Sequence, residues 1–416
     1  VQKYGGSSLE TPEQIKAIAT EIAKLHELGH RLIIVVSAMG KTTDQLVELA
    51  YSLSQSPNRR ELDMLLTTGE RVSMSLMSMA LNDLGCRAIS FTGSQAGVLT
   101  DELHSNARII DIKPVRIESE LKNGTVIVLA GFQGVSPATK EITTLGRGGS
   151  DTTAVAMAAH FGAERCEIRK DVDGVHSADP RLVKNTHHLD SLDYASLLDM
   201  TFWGAKVLHY RSVELGALLN IPLLIGLAHG SGQQTLIKGF SMNKSMNNSM
   251  NNSMNKSMIK NEISNSSFES ARVLSVNSHK DVRWIEIKEK EFAPALSMLS
   301  SALRGETLPL PQILDSDRRG DTVALLVTAP IETLGAIERV CKAKPEFVFD
   351  PTALATVTAT CQGAFASPLA EEISKELKKD GIEVAKLIFG AMSITAVVAS
   401  ADRDEGVRAL HRLVEA

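Results

Sequence analysis

Through roughly the first 240 residues of this 416-residue chain, short unbroken apolar runs alternate with longer stretches whose apolar side chains recur at helical spacing. Leu32-Ile33-Ile34-Val35-Val36 reads as a buried strand ending at Ser37-Ala38-Met39-Gly40, and Thr125–Ala130 as another ending at Gly131. Between them, residues 62–84 place Leu65, Leu66, Val72, Leu76, Met79 and Ala80 at helical spacing, with Gly85 as the stop. Arg165–Arg169 is a further strand. Runs apolar at every position suit strands covered on both faces, so the fold class is α/β: three layers, with a mostly parallel sheet between helices. Ligands of such sheets gather beyond the carboxyl ends of the strands, where Gly5, Ser37, Gly131 and Asp171 fall.

The pattern breaks at residues 241–258, where Ser-Met-Asn-Lys/Asn repeats four times before Ser257-Met258. A period of four drifts against the helical turn, and Ser and Asn are poor helix formers. This composition predicts a flexible linker between domains. Beyond it, Arg272–Ile287, Thr322–Val327, Ala353–Cys361 and Ser393–Ala399 read as strands, and Phe292–Leu303, Pro330–Val340, Pro368–Lys379 and Glu405–Val414 as helices. Such short alternating units predict two α+β modules of ferredoxin-like topology. The expected domains are therefore residues 1–240, a linker over 241–265, and a paired module region over 266–416.

A net charge of -5 gives no basic footprint for nucleic acid. The four cysteines, Cys86, Cys166, Cys341 and Cys361, are scattered, as expected of reduced thiols in a cytoplasmic protein. No apolar run approaches the roughly 20 residues that cross a bilayer, and the given residues open on a strand-like segment, so neither a secretion leader nor a membrane role is expected. His187-His188 reads as solvated loop, and no protein metal site is expected.

Two glycine-rich stretches carry the chemistry: Val1–Ser8, and Thr143-Thr144-Leu145-Gly146-Arg147-Gly148-Gly149-Ser150-Asp151-Thr152-Thr153. Each sets one cation beside glycines ahead of a helix-like run. Helix N-termini present unpaired N–H groups and partial positive charge, and glycine admits an anion close to the backbone. Lys3 offers a point charge suited to phosphate, Arg147 a planar fork suited to a carboxylate. Neither stretch fits the P-loop or dinucleotide patterns. Together they predict a kinase acting on a small carboxylic acid. An ionised carboxylate needs no general base, so catalysis reduces to positioning and charge neutralisation, with Mg²⁺ accompanying ATP.

The N-terminal 240 residues resemble aspartate kinases of the amino-acid kinase fold. The matching stretches are Gln2–Ser8, Val36–Gly40 with Thr42-Thr43-Asp44, Leu66–Glu70, Ser90–Gly97, Ala130–Gly134, Thr143–Thr153, Asp171–Val175, Ala178–Arg181 and Gly204–His209. The resemblance implies phosphoryl transfer from ATP to the side-chain carboxylate of L-aspartate, at the entry to lysine, methionine and threonine synthesis. It implies that Lys3 and Lys206 are catalytic. It places ATP against Lys3, Tyr4, Gly5, Gly6, Lys170, Asp171, His176, Asp179, Arg181, Lys206 and Val207. It places aspartate against Ser37, Thr43, Glu70, Arg147, Gly148, Ser150 and Asp151, with Glu70 on the ammonium and Arg147 on the α-carboxylate.

Arg169, Lys170, His176 and Tyr210 depart from the family pattern around the nucleotide, while the aspartate residues are spared. The C-terminal region resembles paired ACT regulatory modules, which implies an amino-acid effector, lysine or threonine, and a homo-oligomer. At the effector loops this chain has Lys288–Phe292 without Pro or Gly, and Ala366-Ser367-Pro368-Leu369 without Gly. These departures predict weak or absent feedback inhibition. The alternatives are another amino-acid kinase acceptor and a catalytically impaired regulatory relative.

Overall fold

The computed structural model describes residues 1–230, 232–238, 272–306, 308–362 and 367–414. The Ser-Met-Asn tract and the rest of the 241–265 linker lie outside the described residues. The chain forms two compact units. The first is Val1–Val175, His188–Leu198 and Lys206–Phe240; the second is His176–His187, Asp199–Ala205 and Ser241–Ala416. Two short excursions of the first 240 residues thus cluster with the second unit.

The first unit opens with β1 (Gln2–Tyr4), α1 (Pro12–Glu27), β2 (Ile33–Val36), α2 (Thr42–Leu53), α3 (Arg59–Asp83) and β3 (Ala88–Phe91). It continues with β4 (Val98–Thr100), β5 (Ile109–Ile112), α4 (Val115–Lys122), β6 (Val126–Ala130), β7 (Gln133–Val135), β8 (Ile142–Thr144), α5 (Gly149–His160) and β9 (Cys166–Lys170). Then follow β10 (Val175–His176), β11 (His188–Leu189), β12 (Ser191–Asp193), α6 (Tyr194–Phe202), α7 (Tyr210–Leu219), β13 (Leu223–Leu227) and β14 (Gln234–Lys238). An eight-stranded sheet runs β12-β14-β13-β9-β1-β2-β6-β3, and only the β13–β14 pair is antiparallel. Every residue of β2 and β6 is buried, as their unbroken apolar runs require of central strands. A smaller sheet, β5-β4-β7-β8, stands beside it.

Local signals fix the helix starts. Thr11 and Gln14 close a capping box ahead of Pro12, and the Asn58 side chain accepts from Arg60 N at 3.0 Å to begin α3. The face of α3 differs from the apolar stripe read off the sequence. Val72, Leu76 and Met79 are 51%, 36% and 61% exposed, and of the expected residues only Leu66 is buried. The buried face instead carries Asp63, Leu66, Thr67, Glu70, Ser73, Met74, Met77 and Leu81. Polar groups can take that face because partners elsewhere in the fold bind them.

The second unit contains β15 (Arg272–Lys288), α8 (Phe292–Gly305), β16 (Gln312–Arg319), β17 (Thr322–Thr328), α9 (Ile331–Lys342) and β18 (Phe347–Phe349). It ends with β19 (Leu354–Gln362), α10 (Ser367–Lys379), β20 (Lys386–Phe389), β21 (Ser393–Ala399) and α11 (Arg403–His411). Its sheet is antiparallel, in the order β16-β17-β15-β19-β21-β20, with β18 also on β15. The 17-residue β15 serves both modules: its first half pairs with β19, its second with β17, and a register shift between His279 and Val282 marks the change. Period-two alternation sends Ile285 and Ile287 towards α8 and α9, and Val282 and Trp284 to the opposite face with Trp203. This is the paired α+β architecture the sequence predicts.

Candidate active site at the carboxyl ends of the parallel strands

Loops leaving adjacent parallel strands meet at one edge of the first unit. Gly5 N donates to Arg169 O at 3.1 Å, Ser37 N to Tyr4 O at 3.2 Å, and Gly131 N to Val36 O at 3.0 Å. The segments after β1, β2, β6 and β9 are thereby held side by side. The N-terminus of α5 faces them across Gly131, where a Cβ would lie 2.8 Å from Ser150 Cβ. Only glycine lets this strand end approach the helix so closely. Gly148 caps α5 with φ +70°, and a Cβ there would lie 2.2 Å from His209 Cβ.

Lys3 and Asp151 form a buried ion pair at 2.7 Å, with side-chain exposures of 7% and 6%. Lys170 Nζ lies 3.8 Å from the other Asp151 oxygen and donates to Val207 O at 2.5 Å. Burial opposes ionisation of Asp151, but the Lys3 and Lys170 ammonium groups outweigh it and hold its carboxyl below the usual range. Its place in the first turn of α5 also favours the anion. Burial pushes the Lys170 ammonium down, with Asp151 pulling the other way and Lys3 adding to the fall. One carboxylate thus holds two cations beside a helix N-terminus. Such an array can receive a polyanion without reorganising.

Glu70 supplies the opposite charge. It is 3% exposed on the inner face of α3; one carboxyl oxygen accepts from Ala38 N at 3.1 Å and the other has no partner among the described residues. Burial pushes its carboxyl up to about 7, against the pull of the Ala38 N–H. A buried oxygen without a donor fits an incoming ammonium group. Arg147 is exposed between Gly146 and Gly148, free to reach a carboxylate.

The expected residues are distributed unevenly. Lys3, Gly5, Gly6, Ser37, Glu70, Gly148, Ser150, Asp151, Lys170 and Asp171 lie on the converging segments, and Thr43 lies in the first turn of α2. The Tyr4 side chain packs into the core and donates to Gln2 Oε1 at 3.2 Å. Lys206 is exposed, and Val207 enters through its carbonyl to Lys170. His176, Asp179 and Arg181 belong to the second unit. There Arg181 is paired with Asp179 at 2.6 Å, and His176 Nδ1 lies 3.1 Å from Thr186 Oγ1. Sequence reasoning passed over two residues: His209, packed on Gly148, and Asp63, whose buried carboxylate accepts donors from two other segments. A carboxylate seven residues ahead of Glu70 on the same helix was the available signal.

Residues 1–226 match the amino acid kinase family. The aspartokinase of Corynebacterium glutamicum is 51% identical over 239 residues, covering 58% of this chain and 57% of that protein. That match spans little more than half of the relative's length. The aspartokinase of Geobacillus stearothermophilus is 35% identical over 423 residues, covering 99% of this chain and 96% of that protein. Among solved structures, E. coli aspartokinase III in complex with aspartate and ADP is similar with TM-score 0.75 at 18% identity, over 99% of this chain and 98% of that one. That likeness is one of fold. The aspartate kinase from Synechocystis is 31% identical with TM-score 0.53, over 99% of this chain and 68% of that one.

Proposed function

Since the chain belongs to the aspartokinases of the amino acid kinase family, we propose that it transfers the γ-phosphoryl group of ATP to the side-chain carboxylate of L-aspartate, giving ADP and 4-phospho-L-aspartate. The observation that carries this reading is the pairing of opposite sites at one sheet edge. The two-lysine array on Asp151 suits phosphates, and the unpartnered Glu70 oxygen suits an ammonium group.

The acceptor carboxylate is ionised at neutral pH, so its oxygen attacks phosphorus directly as the bond to the ADP oxygen breaks. Lys3 and Lys170 neutralise the phosphates, exchanging part of their attraction to Asp151 for the incoming charge. Glu70 accepts the substrate ammonium and Arg147 grips its α-carboxylate, which points the side chain at the phosphoryl group. Among the described residues no group of three or more His, Cys, Asp or Glu could hold a metal ion. A Mg²⁺ ion carried largely by the nucleotide phosphates fits such a site, with exposed Asp171 at the end of β9 as the available carboxylate. Mg²⁺ would supply charge neutralisation on the β- and γ-oxygens. Lys206, Gly5 and Gly6 are assigned to ATP on the family likeness. The second unit is assigned to binding of an amino-acid effector, lysine or threonine, and to homo-oligomer formation, with a weak or absent response because Lys288–Phe292 lacks the usual Pro-Gly.

Hydroxylamine trapping of the acyl phosphate tests this reading. The wild type should form aspartyl hydroxamate and ADP from Mg-ATP and aspartate. Arg147→Ala should raise KM for aspartate about 10- to 100-fold, the worth of one charge-assisted bidentate contact. Turnover with glutamate in place of aspartate would move the assignment to another acceptor. No hydroxamate at saturating Mg-ATP would make the chain a regulatory relative.

A further inference from the structure

We propose that Asp63 is a positioning residue for Arg147, acting through the two segments its carboxylate binds together. Asp63 is fully buried on the inner face of α3, two turns ahead of Glu70. One of its oxygens accepts from Thr144 Oγ1 at 2.7 Å and from Ser105 Oγ at 3.3 Å. The other accepts from Thr144 N at 3.1 Å and Ser105 N at 3.0 Å, and lies 2.8 Å from His104 Nδ1. Surface turns are not held this way. A single buried carboxylate takes donors from the 103–106 loop and from the last residue of β8, far from each other in sequence.

Thr144 stands three residues ahead of Arg147, and the chain between them is fixed from both sides. Thr144 O accepts from Ala107 N at 2.9 Å, Leu145 N donates to Phe132 O at 2.8 Å, and Arg211 reaches Leu145 O at 2.8 Å and Ala107 O at 2.6 Å. Gly146 then turns with φ +75°, and a Cβ there would lie 3.0 Å from Ser105 O. Ser105 is therefore the wall against which the Arg147 turn is seated, and Asp63 holds that wall to β8. α3 presents one buried carboxylate to each side of the site. Glu70 holds the loop after β2 through Ala38 N, and Asp63 holds the loop that carries the arginine.

This inference deepens the reading of Arg147 as the α-carboxylate clamp and rests on it. If Asp63 sets the clamp, losing it weakens aspartate binding and leaves the nucleotide side intact. The test uses the purified full chain as wild type, Asp63→Asn and Thr144→Val, with two readouts. The first is initial-rate kinetics with hydroxylamine trapping. Asp63→Asn sets an amide N–H₂ among donors and should raise KM for aspartate at least tenfold, with KM for ATP within twofold. Thr144→Val removes only the hydroxyl donor and should give about a threefold rise. The second is amide hydrogen exchange in peptides covering 103–107 and 143–149, which should quicken at least tenfold in Asp63→Asn while peptides of β2 and β6 keep wild-type rates. Equal rises in both KM values, or quickened exchange throughout the first unit, would make Asp63 a stability residue and overturn the proposal. Unchanged exchange at 143–149 in Thr144→Val and Asp63→Asn alike would also overturn it. A wild type that forms no hydroxamate would sink the aspartate reading, and the exchange readout would still decide whether Asp63 orders the Arg147 segment.

Discussion

Replacing Glu70 by Gln separates the energetic burden of the site from its use. The Glu70 carboxyl is pushed by burial from 4.5 up to about 7. A folded-state value above the unfolded one means that the folded protein keeps a proton the unfolded chain has lost. Its contribution to stability is complete below the unfolded value and is lost as pH rises through the folded one. With 4.5 and about 7 as the two values, ionisation costs the folded state about 3 kcal/mol at pH 8.5 and about 1 kcal/mol at pH 5. The amide of Gln does not titrate, so whatever fixed energy it adds or removes cancels between the two pH values. Glu70→Gln should therefore gain about 2–3 kcal/mol on the wild type between pH 5 and pH 8.5. For a unit of this size that is a relative Tm gain of roughly 5–10 °C. Thermal melts of both proteins across this range are the assay, with the hydroxamate assay alongside. If the substrate ammonium binds the ionised carboxylate, wild-type KM for aspartate should fall about tenfold from pH 6 to pH 8, following ionisation around 7. In Glu70→Gln that dependence should vanish and KM should be high throughout. Parallel melting curves at all pH values would refute the burial argument. A wild-type KM flat in pH would refute the assignment of Glu70 to the ammonium group.

Two further outcomes follow from contacts at the same sheet edge. Gly131→Ala puts a Cβ 2.8 Å from Ser150 Cβ, and overpacking of this kind should cost about 1–3 kcal/mol in urea unfolding. It should also push α5 and Asp151 off the strands and lower kcat; wild-type stability in this variant would contradict the close approach. Lys3→Met leaves the Asp151 carboxylate buried with only Lys170, at 3.8 Å, and should destabilise by about 3–5 kcal/mol with kcat reduced about 100-fold or more. Adding Asp151→Asn should restore most of the stability but none of the turnover, whereas recovery of both would show that Lys3 serves the fold alone.

The unbroken apolar runs of β2 and β6 could be read directly, because a strand buried on both faces has no polar position to confuse the pattern. The places of Lys3 at the end of β1 and of Arg147 among the glycines ahead of α5 could also be read from the chain, and their anion-binding roles remain the proposal made above. From the strand runs came the parallel sheet, and with the two cations the expectation of a kinase acting on a carboxylic acid. The orientation of α3 was not legible. Val72, Leu76 and Met79, on the stripe read from the sequence, face outward. The stripe carrying Asp63 and Glu70 faces in, because Ala38 N, Ser105 and Thr144 are there to bind the two carboxylates. Periodicity weighs each side chain by its own transfer energy, and a buried carboxylate is tolerated only through donors from segments distant in sequence. The sharing of Asp151 between Lys3 and Lys170 was hidden for the same reason. The sequence by itself determined which elements form and which of them are buried on both faces. Only the tertiary structure decided which polar groups lie buried, because their cost is set by partners that folding alone brings within hydrogen-bond distance.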